Sequence, residues 1–202
     1  MDLKKLKINY HPETEAAAAS TEADEKAKET MSAYEWIQCI VVTLVVCVLL
    51  FVFLFRLVDV VGLSMYPTLD DGDKMVVSGL FYTPKQGDII VFRKDEYKPE
   101  ALVKRVIATE GQTVEINFNR GIVYVDGVAL DEPYTAAPTY NQIDFRGTQV
   151  VPEGCVFVMG DNRNDSTDSR DERIGMVDTD IIIGKVYFKI FPINHIGNPY
   201  KD

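Results

Sequence analysis

Ser64 sits in Gly62-Leu63-Ser64-Met65-Tyr66-Pro67-Thr68-Leu69, directly after an apolar run of membrane length, and Lys104-Arg105 follow forty residues later. A serine hydroxyl is a poor nucleophile until a nearby base takes its proton, and the usual base is histidine. The chain has two histidines, His11 before the apolar run and His195 seven residues from the C-terminus. Neither is near Ser64 in sequence, although chain distance alone does not exclude His195. The other base able to work near neutral pH is a lysine whose ammonium has lost its water. Lys104 is the best candidate, embedded in the strand-like apolar run Ala101-Leu102-Val103-Lys104-Arg105-Val106-Ile107-Ala108. Plainer readings exist for both: a turn hydroxyl for the serine, a solvated strand edge for the Lys-Arg pair. The order of residues nonetheless points to serine-hydrolase chemistry at a membrane surface.

A third segment adds weight. Val158-Met159-Gly160-Asp161-Asn162-Arg163-Asn164-Asp165-Ser166-Thr167-Asp168-Ser169-Arg170 follows a β-branched run and packs many hydrogen-bonding side chains into a short stretch. A calcium loop fails on spacing. Counted from Asp161, the third position is Arg163 rather than an oxygen ligand, and no register places Gly sixth and Glu twelfth.

Four motifs occur in order: Ser64-Met65-x-Pro67-Thr68-Leu69, Gly87-Asp88-Ile89-Ile90-Val91-Phe92, Lys104-Arg105-Val106, and Gly160-Asp161-Asn162-Arg163 continuing through Ser166-x-Asp168-Ser169-Arg170. With them the chain closely resembles the bacterial type I signal peptidases (leader peptidases), in the short form typical of Gram-positive bacteria, from about Ile37 to Pro192. The resemblance implies a Ser/Lys serine protease with Ser64 as nucleophile and Lys104 as general base. It also implies that the Ser166 hydroxyl holds the lysine amine, with Asp168, Arg170 and Arg105 as a supporting ion-pair network. Val58, Val60, Val91 and Val103 would shape the pocket for the residue three before the cut, and Met65, Leu69 and Leu102 the pocket immediately before it. Such pockets admit Ala and exclude bulk, so the implied reaction removes signal peptides after a small-x-small, Ala-x-Ala-like motif. Gly62 departs from one branch of the family, whose serine at that position donates to the oxyanion; here that hole must rest on the Ser64 N–H and another donor. The implied partners are preproteins, the lipid bilayer and the secretion machinery nearby, with no cofactor and no metal.

Composition agrees. The 202 residues, 47% of them hydrophobic, suffice for one modest core and one membrane segment. A net charge of −10 argues against nucleic-acid binding. Cys39 and Cys47 lie in the apolar run and Cys155 stands alone, so no disulfide framework is indicated. The run Ile37 to Phe55 is apolar on all faces and spans about 28 Å as a helix, one bilayer crossing, with Tyr34 and Trp36 at an interfacial belt. Five lysines before it face eight acidic residues, so charge leans only slightly toward a cytoplasmic N-terminus; the resemblance implies that orientation, with the catalytic domain outside the cell membrane. Residues 1–36 read as a cytoplasmic tail, a solvated helix or disordered.

Beyond residue 56 the pattern is mainly β. Short Val, Ile, Phe and Tyr runs alternate with turn signals such as Asp71-Gly72, Glu110-Gly111, Asp126-Gly127 and Glu153-Gly154. The expectation is one transmembrane helix, then an antiparallel, barrel-like β catalytic domain over 56–202, with a smaller β excursion at about 113–150 and a hairpin at Val123–Leu130. Leu57–Val61 reads as the strand entering the Ser64 turn and Ala101–Ile107 as the strand bearing the base. Two rivals share some of these features. A LexA-like self-cleaving protease lacks the anchor, and a non-enzymatic β module would need neither Ser64 nor Lys104.

Overall fold

The computed structural model describes residues 34–192 and 196–200. His11, His195 and nearly all of the stretch read as a tail lie outside the described residues. The first element is a helix, α1 (Tyr34–Leu54), long and apolar enough to cross a membrane. It begins three residues earlier than the hydrophobic run, taking Tyr34 and Trp36 into its first turn. Its valines, leucines and phenylalanines are exposed on every side. An element apolar all round is suited to hydrocarbon, where a helix satisfies its own backbone hydrogen bonds.

Among the described residues the β unit contains eleven strands: β1 (Arg56–Asp59), β2 (Lys74–Ser78), β3 (Ile89–Phe92), β4 (Leu102–Thr109), β5 (Thr113–Asn117), β6 (Ile122–Val125), β7 (Val128–Ala129), β8 (Gln149–Val150), β9 (Cys155–Met159), β10 (Val177–Asp178) and β11 (Ile182–Phe191). Seven of them form a curled antiparallel sheet in the order β1-β2-β11-β3-β4-β9-β10, a half-barrel, and four form a smaller sheet in the order β7-β6-β5-β8. That smaller sheet spans Thr113 to Val150. Its β6–β7 hairpin closes through Asp126 and Gly127, both at positive φ (52° and 76°), the left-handed pair that matches strand twist.

Three apolar clusters hold the unit together. On one face of the large sheet Ile89, Val91 and Val103 pack with Val60, Met65, Leu69, Met75 and Val186. On the other, Ile90, Phe92 and Val106 pack with Val156, Val158, Ile174 and Val177. A third cluster joins Ile107, Phe157 and Met159 to Val114, Val123 and Phe145 of the smaller sheet. Strand β4 contributes to all three, which explains its continuous run of buried residues. Each fully buried Val, Ile or Phe contributes about 1.5–3 kcal/mol, so β4 is a rigid base for whatever it carries.

Candidate active site

Strand β4 carries Lys104 opposite Ile90 of β3, and alternation along the strand puts Lys104 on the face of Leu102 and Val106. The lysine is 3% exposed. Its ammonium has lost its water there, and this desolvation, partly offset by Asp168 and Asp161 and reinforced by Arg170 and Lys98, pushes its pKa down to about 8. Lys104 Nζ donates to Ser64 Oγ at 2.6 Å. Two residues forty apart are thus in direct contact, the geometry a nucleophile and base require.

Ser64 is held by its own turn and by the loop after β9. Tyr66 N–H donates to the Leu63 carbonyl (3.1 Å) and Leu69 N–H to that of Met65 (3.0 Å). From the other side Asn162 N–H donates to the Ser64 carbonyl and Asn162 Nδ2 to the Leu63 carbonyl, both at 3.1 Å. Gly62 takes φ +91°, which side-chain-bearing residues rarely adopt, and its N–H donates to Asp71 Oδ1 at 2.7 Å. Gly160 is wedged where no side chain fits: a Cβ there would collide with Ser166 Oγ and the Ser64 carbonyl oxygen.

Two buried ion pairs flank Ser64 and Lys104. Arg105, next to the lysine on β4, grips Asp161 through Nε (2.8 Å) and Nη2 (2.6 Å) and reaches the Gly87 carbonyl through Nη1. Asp161 also accepts from Thr68 Oγ1 at 2.5 Å, tying the Ser64 turn to β4. Arg170 grips Asp168 in the same forked way, both contacts at 2.8 Å, and Asp168 Oδ2 accepts from Gly160 N–H at 3.0 Å. Arg105 therefore pairs with Asp161 and does not join Asp168 and Arg170 as expected; the fork on β4 meets the carboxylate already bound to Thr68.

A third pair links the loop to the smaller-sheet region. Arg163 donates to both Glu132 oxygens (2.7 and 2.6 Å) and to Thr139 Oγ1 (3.0 Å). The Tyr134 ring lies 3.9 Å from the Arg105 guanidinium carbon.

Ser64, Lys104, Ser166 and Leu102 line one cleft of about 240 Å³. The Ser166 hydroxyl is buried at its wall with no hydrogen-bond partner among the described residues, so Lys104 bonds to Ser64 and not to Ser166 in this arrangement. Of the expected pocket residues, Val60, Met65, Leu69, Val91 and Val103 share one apolar cluster and Val58 packs against it. Leu102 stands apart on the lysine's face.

Residues 33–191 match the family model described as signal peptidase, peptidase S26. The chain belongs to this family. The match spans α1 and all of the site just described. A probable signal peptidase I-1 of Synechocystis is 42% identical over 174 residues, 81% of this chain and 85% of that one. Signal peptidase I T of Bacillus subtilis is 35% identical over 194 residues, 91% and 97% of the two chains. A solved signal peptidase I from Enterococcus faecalis is 31% identical, covering 52% of this chain and 97% of its own, with a TM-score of 0.43. Membership of the S26 family makes the chain a serine peptidase, a hydrolase.

Thr68, Gly160, Asp161 and Arg163 stand within the sequence motifs without an expected role, and Glu132, Tyr134 and Thr139 stand outside those motifs. For Asp161 the sequence shows a carboxylate leaving an apolar strand and a cation, Arg105, beside Lys104, but Asp165 and Asp168 in the same loop offer equal partners. For Glu132 and Thr139 it shows no signal, because their partner lies more than twenty residues away in an irregular loop.

Proposed function

We propose that this chain is a membrane-anchored type I signal peptidase that removes N-terminal signal peptides from secreted preproteins, cutting after an Ala-x-Ala-like small-x-small motif. The observation that carries this reading is the 2.6 Å contact between Ser64 Oγ and a buried Lys104 whose pKa is lowered to about 8. Such an amine is uncharged in a useful fraction of molecules near neutral pH and can accept a proton.

In the reaction, Ser64 Oγ attacks the scissile carbonyl carbon while its proton passes to Lys104 Nζ. The oxyanion that forms takes the Ser64 N–H, which has no hydrogen-bond acceptor among the described residues; Gly62 offers no side-chain donor and its own N–H is engaged by Asp71. The Lys104 ammonium then protonates the leaving amine, freeing the mature chain and leaving the signal peptide esterified to Ser64. A water, deprotonated by Lys104, hydrolyses that ester and restores both groups. Ser166, whose unpartnered hydroxyl faces the same cleft, holds the amine once its proton moves away from the serine, and the Asp168–Arg170 and Asp161–Arg105 pairs fix the walls.

The signal peptide lies extended against β1 and β4, with Val58, Val60, Val91 and Val103 receiving the residue three before the cut and Met65, Leu69 and Leu102 the residue before it. Residues 1–36 lie in the cytoplasm, α1 crosses the bilayer, and residues 56–202 work on the outer side, close to the secretion machinery that delivers preproteins. Detergent-solubilised full chain incubated with a preprotein should release one product ending in Ala-x-Ala, identified by mass. Replacing either Ala by Phe should lower the rate at least tenfold, given that a methylene-scale misfit alone is worth about 10–200-fold. Equal cleavage of the Ala and Phe substrates would overturn the assignment.

A further inference from the structure

The cleft holding Ser64 and Lys104 has a half that the reading above leaves unused. Beyond Leu102 its lining is polar: Lys98 from the β3–β4 loop, and Asp165 and Thr167 from the loop after β9. The cations and carboxylates around it are paired, Arg105 with Asp161 and Arg170 with Asp168, and Lys104 is bonded to Ser64. Besides Lys104, the charged residues of the lining are Lys98 and Asp165, and neither has a salt bridge among the described residues.

Lys98 is not a side chain on a free loop. Lys94 Nζ donates to the Ile174 carbonyl at 2.5 Å, and the backbone N–H groups of Tyr97 and Lys98 both return to the Lys94 carbonyl (2.9 and 3.0 Å). Tyr97 packs against the buried cluster around Ile90 and Phe92, and its ring lies 5.2 Å from the Arg173 guanidinium carbon. This turn sets Lys98 at the cleft wall, close enough that its charge is among those acting on Lys104.

The direction of the substrate follows from the two halves. All but Leu102 of the aliphatic residues proposed for the positions before the cut belong to or pack against one apolar cluster, while Lys98 and Asp165 line the cleft that Leu102 shares with Ser64 and Lys104. An extended peptide with its small side chains in the first and its scissile bond at Ser64 can lay the residues after that bond in the second.

We propose that Lys98 is a specificity-determining residue that reads the charge of the first residues of the leaving chain, favouring an acidic side chain there and disfavouring a basic one. This rests on the signal-peptidase reading above. Asp165, on the opposite loop, keeps the cleft from attracting anions in general and confines the preference to side chains that reach the Lys98 wall. Both groups are exposed and screened by water, so the discrimination is modest: two unit charges about 6 Å apart in a surface environment are worth about threefold to tenfold in rate.

The test uses the full chain in detergent with three preproteins differing only in the first residue after the cut, Glu, Gln or Lys, and compares kcat/KM. Wild type is expected to cut the Glu substrate about tenfold better than the Lys substrate at low salt, with the ratio shrinking toward one at about 0.5 M salt. Lys98→Glu should invert the order, while Lys85→Glu, the same charge change outside this cleft, should leave the wild-type ratio in place. The same ratio in wild type and Lys98→Glu, or an equal change in Lys85→Glu, overturns the proposal. A wild type that cuts none of the three overturns the peptidase reading itself, a result unlike either of those.

Discussion

Lys104 owes its chemistry to where β4 puts it. A lysine pKa lowered by desolvation from the usual value near 10.4 to about 8 means that between those pH values the unfolded chain binds more protons than the folded one. The sign follows: the charged, buried lysine destabilises the fold fully below pH 8, and this cost fades as pH rises toward the unfolded value. Lys104→Met is therefore expected to be more stable than wild type at pH 7, by up to about 3 kcal/mol less any packing loss. Thermal melts at several pH values check this, and the gap should narrow between pH 8 and about 10.4. Cleavage should rise with pH along a limb centred near 8. The burial of Lys104 was legible in its aliphatic neighbours Val103 and Val106. That Leu102 shares its face while Val103 points to the other side was also legible from the two-residue period of a strand, and was passed over when both were assigned to pockets.

At the scale of elements, the loop after β9 does the assembling. It delivers Asp161 to Arg105 and Thr68, Asp168 to Arg170 and Gly160, and Asn162 to the Ser64 turn. Removing one partner of a buried forked pair leaves an uncompensated charge, so Asp161→Ala should cost about 3–5 kcal/mol and lower Tm by roughly 10 °C. The measurement is a thermal melt; a shift within about 2 °C, well under the roughly 6–20 °C that about 3–5 kcal/mol implies at roughly 2–4 °C each, would show the pair to be dispensable. Gly160→Ala should fold less stably and lose most cleavage, since its new methyl would push Ser166 and the Ser64 carbonyl apart. If the variant cut at the wild-type rate, Gly160 would not be setting the spacing of the site. Strand existence was readable from Val and Ile runs between turn signals. The pairing of Arg105 with Asp161, rather than with Asp168, was not, because two carboxylates a few residues apart in one loop are equivalent until the loop's path is known.

Taken whole, the molecule combines a helix exposed on all its apolar sides with a β unit that has its own three-part core. A chain starting at Val52, where the second compact unit begins, is expected to fold, stay in solution without vesicles, and cut a preprotein. Its rate on a membrane-held preprotein should drop at least tenfold, since it loses the local concentration that a shared bilayer supplies. The full chain should float with phospholipid vesicles and the shorter one should not. Composition and the apolar run made the two-part design legible; the smaller sheet's role in clamping Arg163 through Glu132 and Thr139 was not, as it depends on contacts between distant loops. The central claim, that Ser64 attacks and Lys104 takes its proton, is tested most directly by the preprotein cleavage rates of wild type, Ser64→Ala and Lys104→Met, each shown by its melt to be folded. Losses of several orders of magnitude in both variants, with His195→Ala close to wild type, are the expected result. Cleavage by Lys104→Met at a rate comparable to wild type would contradict it.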